Sequence, residues 1–418
     1  MKQFYYKGND LYCEQVPVSD IAQKVGTPFY LYSHDALTSH YMQLAKAYKA
    51  INPLICYSTK ANSNLAVLKS LVKKGAGLDI VSGGELFRAL KVGANPKKIV
   101  FAGVGKTRSE IKEAIQKGIL LFNVESVGEV ELINDVAKSI KKKANVSLRV
   151  NPDVDASTHD YITTGKKESK FGIDLDSARK VFAHVTDYKH VNLSGIHVHI
   201  GSQITTVAPF VKAFKKVMRF IDFLEKKGTK IKFLNLGGGL GIVYDKEKPQ
   251  TPKEFARKIV PIVKRKGLKI IFEPGRFIAG NAGIFVTEVI YSKKTPAKNF
   301  LIVDGAMNDL IRPSLYDAYH EVRAVKRNGA LKQVTADIVG PICESGDFFA
   351  KARKLPDFQI KDQMAVMSAG AYGFTMASNY NSRPRVAEVM VSGKKFEVIR
   401  KRETREDLIR GERIPKFI

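Results

Sequence analysis

Eight short apolar runs recur between residues 54 and 273, and each gap between successive runs is long enough to hold a helix. The runs are Leu54–Ser58, Leu78–Val81, Ile99–Ala102, Leu120–Val124, Val146–Asn151, Leu193–Ile200, Phe233–Leu236 and Lys269–Glu273. Runs so continuously apolar suit strands covered on both faces, the environment of a parallel sheet flanked by helices. Parallel neighbours also need a crossover of about a dozen residues or more, which an amphipathic helix supplies. Eight such units favour a closed (β/α)8 TIM barrel over an open doubly wound sheet, which usually stops at about five to seven strands.

After Gly275 the pattern changes. Gly283–Lys293, Asn299–Asp304, Lys332–Val339, Gln363–Met367 and Ala387–Val391 read as strands separated by Gly, Pro and Lys turns. Ser392–Lys394 reads as a hairpin turn leading into Phe396–Ile399. Residues 1–32, including the β-rich Pro28–Tyr32, have no place in the barrel and are assigned to this second region. At 418 residues the chain exceeds one ordinary core. The expected organisation is an α/β barrel over residues 33–275 and an all-β domain, Greek-key or sandwich-like, discontinuous over 1–32 and 276–418.

The net charge of +28 raises nucleic-acid binding as a hypothesis. Its placement argues against it: Lys141–Lys143, Lys226–Lys227, Lys264–Lys266 and Lys394–Lys395 fall in separate helix ends and turns, with no RNA- or DNA-binding signature beside them. A solvated lysine-rich surface and no nucleic-acid partner are expected. Cys13, Cys56 and Cys343 are odd in number and far apart, which disfavours a disulfide framework or a zinc knuckle. The N-terminal MKQFYYKGND has no apolar core and no later stretch has the length of a membrane span, so a cytoplasmic protein without membrane contact is expected.

In barrels of this kind, chemistry sits where the strands end. The first run ends in Tyr57-Ser58-Thr59-Lys60, the second gives Asp79 and Ser82, the sixth carries His197 and His199 before Gly201-Ser202-Gln203, the seventh ends in Gly237-Gly238-Gly239, and the eighth in Glu273-Pro274-Gly275-Arg276. A lysine directly after an apolar strand is held in the barrel mouth, where its amine can attack a carbonyl. Consecutive glycines let backbone N–H groups close on a phosphate. His197 and His199, two apart on a strand, share a face, but no set of further ligands stands near enough in sequence for a metal. One of the pair suits stacking on a flat ring and the other a core histidine held by hydrogen bonds. Gly103-Val104-Gly105-Lys106-Thr107 is similar to the end of an ATPase phosphate loop, yet Val100 stands where that spacing needs glycine.

In order along the chain, CYSTKAN (56–62), HVHIGSQ (197–203), LGGGLG (236–241), EPGR (273–276), RPSLYDAYH (312–320), GPICESGD (340–347) and GAYG (370–373) resemble the motifs of the alanine-racemase-like, fold-type-III pyridoxal-phosphate enzymes, and among them the diaminopimelate decarboxylase family. The resemblance covers about Gly26 to Arg402. It implies that pyridoxal 5'-phosphate is carried as a Schiff base on Lys60 and that His199 stacks on its ring. Ser202, Gly237, Gly238 and Gly239 then hold the phosphate, with Tyr372 and the Pro274, Gly275 and Arg276 segment assisting; Asp79 is a further cofactor-side candidate. Glu273 pairs with the pyridine nitrogen. A carboxylate there keeps that nitrogen protonated and the ring a strong electron sink, which favours decarboxylation.

The resemblance also implies a homodimer with shared active sites, Cys343 of one subunit donating a proton in the other's site. Glu344 would bind the far amino group of the substrate, and Arg276, Arg312, Tyr316 and Tyr372 its distal end, where guanidinium forks match a carboxylate. An amino-acid substrate with both groups at its remote end is meso-2,6-diaminopimelate, giving L-lysine and CO2. The alternatives are a decarboxylase of another diamino acid (carboxynorspermidine, arginine or ornithine) or a non-catalytic pyridoxal-phosphate-binding protein.

Overall fold

In the computed structural model all eight apolar runs form strands: β1 (Leu54–Ser58), β2 (Gly77–Ile80), β3 (Ile99–Phe101), β4 (Leu121–Val124), β5 (Ala144–Asn151), β6 (Val191–His197), β7 (Phe233–Asn235) and β8 (Lys269–Phe272). Each is parallel to the next, β8 pairs with β1, and the barrel closes. Every residue of β1 to β4 is buried, as strands enclosed on both faces require. The structure describes residues 2–154, 170–265, 267–327 and 332–418; Lys266, the end of one lysine cluster, lies outside them. Among the described residues no helix is long and apolar enough to cross a membrane.

The connecting helices bury one stripe each. Along Ala208–Lys226, Phe210, Ala213, Phe214, Val217, Phe220, Ile221 and Leu224 recur at three- and four-residue spacing and are buried. Several strand-to-helix turns end in a residue whose side chain caps the helix: Asn64, Ser82, Thr107, Ser126 and Thr251. Thr107 caps through a reciprocal capping box with Glu110, which accounts for half of the phosphate-loop likeness. Lys106 accounts for the rest: it is buried, and its Nζ donates to Gly103 O (2.6 Å), Asn123 O (2.8 Å) and Glu129 Oε1 (2.5 Å). The lysine braces the ends of β3 and β4, an occupation that leaves it no nucleotide to bind.

Contacts divide the chain into two units, the barrel (Thr38–Val243 with Glu247–Ile278) and a sheet-rich unit (Met1–Leu37, Tyr244–Lys246 and Ala279–Ile418). The second contains a seven-strand path, Phe348–Pro356, Gln333–Val339, Asn299–Val303, Gly283–Lys294, Phe29–Ser33, Ala387–Ser392 and Lys395–Arg400. The N-terminal strand Phe29–Ser33 lies between Gly283–Lys294, antiparallel, and Ala387–Ser392, parallel. Hydrophobic burial holds the distant segments together: Phe4, Leu11, Val18, Ile21, Phe29 and Leu31 share one core with Ile284, Val286, Met367, Val389 and Val391. The strands Phe348–Pro356 and Val322–Ala324 and the small N-terminal sheet Phe4–Lys7, Asp10–Cys13 and Val16–Pro17 are additions to the sequence expectation.

A buried ion pair with one partner removed leaves an uncompensated charge. Lys106→Met should therefore destabilise the barrel by about 3–5 kcal/mol, and Lys106→Met with Glu129→Leu should recover part of it. Urea midpoints of the two variants check this; a near-neutral single substitution would show that Lys106 is not the brace described.

Candidate active site

The strand register assembles a polar layer at the barrel mouth. Ser58 on β1 is opposite Asp79 on β2, Asn123 on β4 opposite Ser147 on β5, and His197 on β6 opposite both Arg149 and Asn235. Glu273, directly after β8, is the point on which these groups converge. Its Oε1 accepts from Asn123 Nδ2 (2.8 Å) and Asn235 Nδ2 (2.5 Å), and its Oε2 lies 3.2 Å from His197 Nε2. Ser147 donates to Asn123 Oδ1 at 2.5 Å, which turns the amide of Asn123 so that its N–H faces the carboxylate. Burial pushes Glu273 upward, but His197, Lys60 and the Asn235 hydrogen bond prevail and hold it at about 2. These partners favour the ionised form of the carboxylate.

Asp79 is shifted the opposite way. Burial and the nearby charge of Glu273 raise it well above the usual carboxylate range, against the pull of Lys60 and Ser58. The Ser58 hydroxyl stands 2.8 Å from Asp79 Oδ2 and 3.0 Å from Glu273 O, and its one proton serves one of them at a time. Lys60 sits in a single 3-10 turn, Thr59–Ala61, between buried neighbours; its side chain is 45% exposed and its Nζ is 3.8 Å from Asp79 Oδ2. The residue is thus anchored at its base by buried neighbours while its side chain is partly exposed.

β6 ends at His197, so the shared-face argument does not extend to His199. The two histidines divide as different kinds of residue. His197 is buried and held on Glu273. His199 Nδ1 accepts the Gly238 N–H at 3.2 Å, which places the ring proton on Nε2, and burial, with Arg149, Lys60 and His197 adding to it, holds His199 well below its ordinary value. It is a neutral ring.

Ser202 and the glycine run are brought together by their loops: Ile204 N donates to Gly239 O (2.8 Å), Gly241 N to Ile204 O (3.0 Å), and Gln203 exchanges two hydrogen bonds with the backbone of Ile242. Gly237 (φ +65°) and Gly239 (φ +105°) need glycine conformationally. A Cβ at Gly238 would come within 2.3 Å of Glu273 O, so the rim after β7 lies directly on the one after β8. Asn235 links both ends of this region, accepting from Gly237 N–H (2.9 Å) while donating to Glu273. Pro274 O receives Ser58 N–H, and Arg276 is buried at the start of the short helix Arg276–Ala279. An amine at a strand end (Lys60), an ionised carboxylate (Glu273), a neutral imidazole (His199) and a glycine rim (Gly237–Gly239, beside the Ser202 loop) are the chemistry that could hold pyridoxal phosphate.

The sheet-rich unit carries the remaining candidates. The helix Arg312–Tyr316 and the loop bearing Cys343 and Glu344 are tied by Ser314, whose hydroxyl donates to Gly346 O at 2.5 Å. Asp347 fixes the loop, accepting from Met307 N and Ile342 N at 2.7 Å each. Cys343 is exposed, its N–H bonded to Asn381 Oδ1 (2.9 Å); Glu344 Oε2 accepts from Tyr380 (3.1 Å). Arg312 is buried beside the rings of Tyr244 and Tyr316. Tyr372 holds φ at +56°, a strained conformation for a bulky residue and one that clusters at functional sites.

Asn123, Ser147, Asn235, Tyr244, His320, Asp347 and Tyr380 were not singled out from sequence. A signal existed for two of them: Asn123 and Asn235 are amides inside otherwise apolar strands, where a buried polar group needs a partner.

Residues 34–280 match the family model of the pyridoxal-dependent decarboxylases, pyridoxal binding domain. The chain is 49% identical to the diaminopimelate decarboxylase of Vibrio cholerae over 96% of this chain and 95% of that one. Among solved structures, diaminopimelate decarboxylase from Helicobacter pylori complexed with L-lysine superposes with a TM-score of 0.90 at 42% identity, covering 94% of this chain and 98% of that one. The M. jannaschii enzyme in co-complex with L-lysine gives 0.94 at 38% identity, covering 99% and 98%.

If Asn235 joins the carboxylate to the glycine rim, Asn235→Leu strands a donor and an acceptor at once. Cofactor affinity should fall about tenfold or more, since each buried unmet group costs roughly 1–3 kcal/mol. Fluorescence titration with pyridoxal phosphate, alongside an unchanged far-ultraviolet circular dichroism spectrum, checks it; unaltered affinity would reduce Asn235 to filler.

Proposed function

The chain belongs to the diaminopimelate decarboxylase family of pyridoxal-dependent enzymes, and from that premise we infer the reaction it performs. It removes one carboxylate of meso-2,6-diaminopimelate as CO2 and leaves L-lysine, the last step of lysine synthesis. The observation that carries this reading is Glu273, held ionised by Asn123, Asn235 and His197 at the mouth that presents Lys60. When bound, pyridoxal phosphate supplies an electron sink for the pair left behind as CO2 departs. Lys60 would hold the cofactor covalently through its amine. Glu273 keeps a proton at the ring nitrogen, where a neutral base would let it go. His199, uncharged and bonded to Gly238, offers a flat face without adding a positive charge beside the ring. Ser202 and the Gly237, Gly238 and Gly239 backbone hold the phosphate.

Substrate choice falls to a second set of residues. Arg312 and Tyr316, with Arg276 and Tyr372, bind the distal carboxylate, and Glu344 the distal ammonium. A substrate lacking that carboxylate would forgo the charge-assisted contact with the buried guanidinium. Cys343 returns a proton to the carbon that lost CO2. The active unit is a cytoplasmic homodimer in which Lys60 of one subunit works with Cys343 of the other; the resemblance of CESGD to the family's partner-contributed segment supports this.

Two outcomes are expected. Carbon dioxide release should be far faster from meso-diaminopimelate than from ornithine, arginine or carboxynorspermidine, and Arg312→Ala should lower kcat/KM for diaminopimelate by about 2–3 kcal/mol, roughly 30- to 150-fold, with cofactor content unchanged. A faster rate on a substrate without a distal carboxylate would defeat the assignment. The shared site makes a separate forecast. Lys60→Ala and Cys343→Ala homodimers should each be nearly inactive. On refolding equal amounts together about half the dimers are mixed, each with one doubly lesioned and one intact site, so about a quarter of wild-type activity should return. No return from demonstrably mixed dimers would mean that both residues serve one site from one chain.

A further inference from the structure

RPSLYDAYH ends in a histidine to which the reading above gives no task. His320 is fully buried, and its ring is bonded on both sides. Nδ1 lies 2.7 Å from Met367 O, a carbonyl that can only accept, so Nδ1 carries the ring's proton. Nε2 lies 3.3 Å from Arg312 Nε, a nitrogen that can only donate, so Nε2 keeps its lone pair. The two partners together require the neutral Nδ1–H tautomer. The backbone of His320 is itself fixed, its carbonyl accepting from Arg353 NH1 at 3.0 Å. Tyr244 completes the surround: its ring centroid is 5.0 Å from the Arg312 guanidinium carbon and 5.4 Å from the His320 ring, edge to face. Tyr244 stands between β7 and the helix Pro252–Val263 in sequence, yet its contacts group it with the sheet-rich unit.

We propose that His320 and Tyr244 are positioning residues for substrate specificity: they fix the plane and rotation of the Arg312 guanidinium, and so set its recognition of the distal carboxylate. The inference rests on the assignment of that carboxylate to Arg312. A guanidinium turns about several bonds, and a bidentate contact needs one orientation. A histidine acceptor on Nε fixes the rotation, and an aromatic face fixes the plane without bringing in a competing negative charge. An aspartate at position 320 would hold the arginine more tightly and cancel the charge it is there to offer.

The test uses the holoenzyme and two ligands that differ by one group: L-lysine, which retains a carboxylate, and cadaverine, the same chain without it. Inhibition constants are measured against decarboxylation of meso-diaminopimelate. Wild-type enzyme should favour lysine; equal inhibition would defeat the Arg312 assignment and this inference with it. His320→Asn keeps a donor for Met367 O and loses the acceptor for Arg312. Its inhibition constant for lysine should rise about tenfold or more while that for cadaverine stays within about twofold. His320→Gln, which reaches the Nε2 position with an amide oxygen, should restore most of the lysine affinity. Tyr244→Leu should copy His320→Asn, and Tyr244→Phe should not, which keeps the question open to decision if His320→Asn does not fold. A wild-type lysine-to-cadaverine ratio in His320→Asn or Tyr244→Leu, or equal weakening of both ligands, would overturn the proposal.

Discussion

The barrel mouth is organised by the need to keep one carboxylate charged out of water. Moving a carboxylate into a protein interior costs several kcal/mol even after relaxation, and Glu273 is 6% exposed. The fold meets that cost with two amide donors and a histidine, taken from β4, β7 and β6. Those donors reach the carboxylate because parallel pairing sets the ends of neighbouring strands in register. A slip of one residue would exchange every side chain between the barrel interior and the helix layer. The closed barrel therefore does more than carry the site. It is the device that delivers an ionised carboxylate to one place.

A second consequence follows for Asp79. Two carboxylates in one low-dielectric region cannot both be charged cheaply. The partners that lower Glu273 leave its charge bearing on Asp79, which is raised, and the Ser58 hydroxyl stands between Asp79 Oδ2 and the backbone carbonyl of Glu273 as a donor to either. Glu273 is thus the better-supported negative charge of the layer, with the Lys60 amine 3.8 Å from the other acid.

Sequence made the scaffold readable because burial on both faces writes itself as continuous apolar runs, and the residues that end them, Lys60 and Glu273, stand out by contrast. It hid residues whose role depends on contacts remote in the chain. Asn123 and Asn235 act on a residue 150 and 38 positions away. Tyr244 lies within the barrel's stretch of sequence and packs in the other unit. His320 follows Tyr319 and precedes Glu321, neighbours that read as surface. The strand Phe348–Pro356 escaped for a local reason: Ala352 sits at φ +46°, with register shifts around it, and the bulge destroys the period-two signal. The second half of the GPICESGD motif was legible only as likeness, since the grip of Asp347 on two backbone N–H groups is a property of the folded loop.

The large positive charge fits this division of labour by having no part in it. At neutral pH meso-diaminopimelate carries two ammonium and two carboxylate groups, so its net charge is zero and a field from +28 does little to steer it. Selection must come from local geometry. On the proposed assignment, the Arg312 guanidinium, 5% exposed, rewards a ligand carboxylate with a charge-assisted contact and penalises a ligand that covers it with methylene. That penalty scales with how little the guanidinium can turn away to find another partner. The neutral histidine on its Nε and the tyrosine beside its plane supply that restraint. On the proposed assignment of Arg312 to the distal carboxylate, discrimination between diamino acids follows from the rigidity of one arginine more than from the number of charges around it.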